Sequence, residues 1–75
     1  MIANKNPRLF GNHERNIHFK RIVDNVEKLS QKNGIRYAIY FDRLLKTYSW
    51  IDTYENMMKR KVSTAEIICE IDFED

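Results

Sequence analysis

Cysteine, proline and glycine are scarce in this chain: one, one and two in 75 residues. The lone Cys69 can form neither an intramolecular disulfide nor a cysteine-based zinc module. So little glycine and proline excludes collagen-like and low-complexity linker architectures. Two isolated glycines cannot build a phosphate-cradling loop. Long apolar runs are missing too. The longest, Tyr37-Ala38-Ile39-Tyr40-Phe41, falls far short of the ~20 residues that span a bilayer. Residues 1–12 lack the apolar stretch of a secretory leader. These absences together predict a cytoplasmic protein with no membrane partner.

Positive charge is absent from one stretch. Residues 1–61 hold all 13 Lys and Arg against six acids and carry +7. Residues 62–75 hold no Lys or Arg and five acids (Glu66, Glu70, Asp72, Glu74 and Asp75) and carry −5. A split of this kind suits either a surface that faces a polyanion or an acidic edge that faces a basic partner.

What is present reads as one globular domain, 1–75. The hydrophobic fraction is 43% and the charged fraction 32%, both ordinary for a folded soluble domain. A chain this short buries only about 60% of the surface its unfolded form exposes, so its core is thin. A homo-oligomer, closed by pairing of edge strands or sharing of helix faces, is expected to complete that core. Ile, Asn, Lys, Tyr and Phe make up 31 of the 75 residues, a usage that hints at an AT-rich coding source such as a phage or mobile element.

Residues 1–12, with Asn4, Asn6, Pro7, Gly11 and Asn12, read as an arm or loop that Leu9 and Phe10 anchor. Residues 13–33 read as an amphipathic helix. Phe19, Ile22, Val23, Val26 and Leu29 form its apolar face, Asn12 its N-cap, and Asn33-Gly34 its left-handed stop. Residues 35–41 alternate as a strand. Residues 42–61 are ambiguous. We expect a strand over about 45–51 and a short helical turn over about 53–61, announced by Asp52-x-x-Glu55; a single long helix over 42–61, giving α-β-α-β, is the alternative. Residues 64–73 alternate as a strand, with Ala65, Ile67, Cys69, Ile71 and Phe73 inward and Glu66, Ile68, Glu70 and Asp72 outward. The fold class is therefore α+β, one helix packed on a small, mostly antiparallel sheet.

Chemistry-bearing constellations are sparse. His13 and His18 are five residues apart and diverge by about 140° on a helix, which is poor for one metal. No metal site and no cofactor are expected. His13, His18, Glu14, Arg15, Lys20 and Arg21 gather near the helix start, the residue types a small phosphodiester-cleaving enzyme uses, and that reading is the least favoured. Nucleic-acid binding has more material. Arg15, Lys20, Arg21, Arg36 and the run Lys59-Arg60-Lys61 suit phosphates, and Phe10, Tyr37, Tyr40, Tyr48, Trp50 and Tyr54 suit unpaired bases. Protein binding is favoured over it. Trp50, Tyr54, Met57 and Met58 are close in sequence and belong to the types that interface cores enrich. Glu66, Glu70 and Asp72 offer a second, acidic docking row. The expected function is a non-enzymatic interaction module that binds another protein as an inhibitor, antitoxin-like or accessory factor. RNA or single-stranded nucleic acid is the alternative partner.

Overall fold

The computed structural model describes residues 1–74. Its elements run β1 (Ile2–Lys5), α1 (Phe10–His13), α2 (Ile17–Asn33), β2 (Tyr37–Asp42), β3 (Thr47–Asp52), α3 (Thr53–Lys59), a 3-10 turn (Thr64–Glu66) and β4 (Ile67–Ile71). The four strands form one antiparallel sheet in the order β1-β4-β2-β3, so β4 returns to insert between β1 and β2. The α+β expectation holds. The long helix over 42–61 does not form, because residues 47–52 pair with β2 from Thr47 opposite Asp42 to Asp52 opposite Tyr37.

The dominant helix is set by local chemistry at both ends. Asn16, rather than Asn12, caps α2: its side-chain oxygen accepts from the backbone of His18 at 2.8 Å and Phe19 at 3.4 Å. Gly34 closes the helix at φ 63°, a left-handed conformation that costs glycine nothing, and its N–H donates to the Ser30 carbonyl. Phe19, Val23, Val26 and Ser30 are the buried stripe, at the four-three-four spacing that keeps one face of an α-helix. Ser30 is tolerated in the core because its hydroxyl donates to the Ile35 carbonyl at 2.6 Å.

Residues 1–12 are not a loose arm. Their first part is edge strand β1, which pairs with β4 and places Ile2 opposite Ile71. Gly11 and Asn12, expected to precede the main helix, lie in the single-turn α1. The predicted strand over 35–41 begins at Tyr37, and that over 64–73 narrows to Ile67–Ile71. The Ser63 hydroxyl accepts from the Ala65 N–H and starts the 3-10 turn that precedes β4.

The inward row expected for the last strand is altered by a bulge. Ile39 lies opposite Cys69, but Tyr40 lies opposite Ile67, so Ile68 is an extra residue. Ile68 and Cys69 therefore both join the core under α2, while Ile67 turns to the opposite face with Ala38 and Val62. Ile68, expected outward, is fully buried.

The sheet thus has two unequal apolar faces. Under α2 lie Tyr37, Ile39, Tyr48, Ile68, Cys69 and Ile71 with Phe19, Val23 and Val26. Under α3 lie only Ala38, Val62 and Ile67, with Tyr40 and Ile51 beside them. The return from α3 to the sheet is held by buried Asn56, whose Nδ2 donates to the Val62 carbonyl at 3.0 Å and whose Oδ1 accepts from the Val62 N–H at 2.8 Å. Asn56→Ala strands both buried Val62 groups. We expect it to lower unfolding free energy by about 2 kcal/mol in urea denaturation, more than any exposed α3 substitution.

Candidate functional site

The second sheet face and the helix over it hold the functional candidates. Asp52 caps α3: its carboxylate accepts from the backbone N–H of Tyr54 at 2.8 Å and of Glu55 at 3.3 Å. Arg60, at φ 50°, ends the helix. With Thr53 and Asn56 turned toward the sheet, Tyr54, Met57 and Met58 fall on the outer face at i, i+3 and i+4. Each is 66% exposed. These three residues are not part of the domain's own core.

Beneath α3 a groove of about 540 Å³ runs to β4. Met57, Val62 and Ile67 make its walls apolar, and Arg60 and Glu70 place one charge of each sign in it. The Thr53 hydroxyl oxygen, also on this side, is buried without a hydrogen-bond partner. On the rim, Glu55 takes Lys61 at 3.3 Å and Lys59 at 3.4 Å. Those two ammonium groups, Lys61 first, hold the Glu55 carboxyl below its ordinary range.

Trp50 does not share the α3 face. By strand alternation it lies with Tyr48 on the α2 side, opposite Ile39, and it is 41% exposed because β3 is the outer strand. The four apolar candidates are thus divided by the β3 edge, with Trp50 on one side and Tyr54, Met57 and Met58 on the other.

The acidic row is not the isolated face its sequence suggests. Arg36 donates to Asp72 and approaches Glu70 at 3.9 Å. Asn4 Nδ2 donates to the same Glu70 carboxylate at 3.2 Å. Glu66 leaves the strand altogether and sits in the 3-10 turn beside Arg43. Asp75 lies outside the described residues.

The cations are equally scattered. Arg15 in the turn before α2 and Lys20 and Arg21 in its first turns lie on one side of the sheet, and Lys59, Arg60 and Lys61, at and just past the end of α3, on the other. Arg36 is committed to Asp72, and its hydrogen bond with that carboxylate raises its own pKa. Of the aromatics considered for base stacking, Tyr37 and Tyr48 are core residues.

His13 joins an aromatic cluster not identified from the sequence. Its Nδ1 shares a 2.7 Å hydrogen bond with the Tyr48 hydroxyl, and its ring lies edge-on to Tyr48 and stacked beside Phe41. Desolvation raises the Tyr48 pKa. The only sequence sign of this cluster is the density of aromatics, which does not say which of them meet. Among the described residues, no three His, Cys, Asp or Glu groups converge as metal ligands, and no helix is long and apolar enough to cross a membrane.

No protein-family model, no curated protein and no solved structure matches this chain.

Two outcomes follow from these environments. Burial and the nearby Glu27 and Glu70 carboxylates push the Cys69 thiol up to about 12, so a thiol reagent at neutral pH should label it only after denaturant is added. The Arg36 hydrogen bond holds the Asp72 carboxyl below its ordinary value. A depressed folded-state pKa stabilises above the unfolded value and loses that contribution as pH falls through the folded one. Arg36→Gln should therefore raise the Asp72 pKa in an NMR titration. Its stability deficit should be full at neutral pH and close on acidification.

Proposed function

We propose that this chain is a non-enzymatic interaction module that docks another protein through the outer face of α3 and acts by occluding or holding that partner. The observation that carries this reading is the exposure of Tyr54, Met57 and Met58, three large apolar side chains at adjacent positions on one short helix. Lys59, Lys61 and Glu55 rim them with charge. Methionine side chains repack readily and tyrosine contributes a rigid amphipathic surface, the combination that suits an adaptable anchor. The groove beneath α3 extends the same surface inward through Met57.

Protein is favoured over nucleic acid because the cations fall on both sides of the sheet and three of them are already engaged by carboxylates. Two of the groups that acid–base or nucleophilic chemistry would use are otherwise engaged: His13 bonds Tyr48, and Cys69 lies in the core. An inhibitor, antitoxin-like or accessory role, and a phage or mobile-element origin, accord with one docking face on a chain of 75 residues.

The test is affinity capture from the source cells with and without nuclease. The double variant Met57→Ala/Met58→Ala keeps good helix formers, so the fold is preserved. We expect a protein partner that survives nuclease and moderate salt and binds the double variant about tenfold or more weakly. Capture that disappears with nuclease, falls steeply with salt and follows Lys59→Ala/Lys61→Ala would instead establish the nucleic-acid reading.

A further inference from the structure

We infer that β3 is the seam of a symmetric dimer, in which two copies join antiparallel with Ser49 opposite Ser49 of the second copy. This occupant of the β3 edge is independent of what the α3 face binds.

β3 is the last strand of the sheet, and among the described residues no strand lies beside its outer edge. The phase of its backbone is known. The Thr53 N–H donates to the Arg36 carbonyl at 2.9 Å, and bonded pairs alternate along an antiparallel ladder. Ile51, Ser49 and Thr47 therefore direct their backbone groups inward to β2, while Tyr48 and Trp50 direct theirs outward. The ladder to β2 has six consecutive pairs with no bulge. The strand Thr47–Asp52 contains no proline and no lysine, the usual blocks to edge pairing. The opposite edge differs: β1 is shorter, is interrupted by a bulge and ends in Lys5.

The backbone phase restricts the registers in which this edge can pair with itself. Outward-facing residues must meet outward-facing residues, so Tyr48 and Trp50 can pair with each other or each with itself. Placing Ser49 on the two-fold axis sets Tyr48 opposite Trp50 twice and Thr47 opposite Ile51 twice, and brings Lys46, the turn residue that precedes β3, near Asp52 twice. The Asp52 Oδ1 caps α3, and its other carboxylate oxygen is left for the ammonium. Each is a favourable cross-strand pair: aromatic with aromatic, β-branched with β-branched, cation with anion. Shifting by one register step in either direction removes the Lys46–Asp52 pairing. In the same arrangement the β2–β3 hairpin tip reaches the start of the second copy's α3. Leu44, 95% exposed, then has an apolar neighbour in Tyr54 of the second copy. The product is a continuous eight-stranded antiparallel sheet with both α2 helices on one side and both α3 helices on the other.

The experiment combines sedimentation with register-specific crosslinking. Wild-type protein should sediment as a dimer at about 100 µM, and Ser49→Lys, which sets like charges opposite each other on the axis, should weaken the dimer about tenfold or more. Ser49 on the axis is a pair of the close, non-hydrogen-bonded kind, the spacing a disulfide tolerates. Ser49→Cys should therefore oxidise to a covalent dimer, whereas Thr47→Cys, which faces Ile51, should not. Wild type supplies the background, since Cys69 is 1% exposed. Circular dichroism confirms that each variant is folded. A wild-type monomer at that concentration overturns the inference. So does a dimer that Ser49→Lys leaves intact, equal crosslinking of Ser49→Cys and Thr47→Cys, or an edge that pairs only with an added extended peptide. None of these outcomes depends on capture through Met57 and Met58.

Discussion

Burial of one sheet face under a single helix is the constraint on which the rest of this molecule depends. Phe19, Val23 and Val26 of α2 close over Tyr37 and Ile39 of β2 and Cys69 and Ile71 of β4. The cluster under α2 takes most of the buried hydrophobic residues. With so few residues, little is left to cover the reverse face, where a seven-residue helix and Val62 meet Ala38 and Ile67. The groove under α3 and the exposed apolar residues around it follow from this inequality.

The bulge in β4 links the two faces. Without Ile68 as an extra residue, strict alternation would place Ile67 in the same row as Cys69 and Ile71. The bulge instead gives the α2 core one more isoleucine and sends Ile67 to the other side, where it becomes the floor of the groove. The buried Asn56 clamp on Val62 then fixes how α3 is held above that floor. Packing of the core and shape of the groove under α3 therefore share a single local irregularity.

Electrostatics plays a smaller part than the charge split suggests. Among the described residues, three of the thirteen cations are drawn into local pairs: Arg36 with Asp72 and Glu70 of the acidic stretch, and Lys59 and Lys61 with Glu55. Pairs at this level of exposure contribute little to stability. What remains distinctive on the surface is apolar: the outer side of α3, the hairpin tip and the open edge of β3.

Periodicity and capping chemistry made the main helix, the short helix after Asp52, the strand nature of β2 and β4 and the α+β class legible in the sequence. Those signals are local, and local hydrogen bonding and side-chain spacing decide them. The edge strand β1 was not legible, because its residues Ile2-Ala3-Asn4-Lys5 have no pattern until β4 lies beside them. The same holds for the His13–Tyr48 bond across 35 residues, the side of the sheet on which Trp50 lies, and the pairing of the acids with Arg36. Composition and spacing determined which segments fold and which faces they bury. Register, bulge and strand order, which depend on contacts between residues far apart in the chain, were decided by the tertiary structure alone.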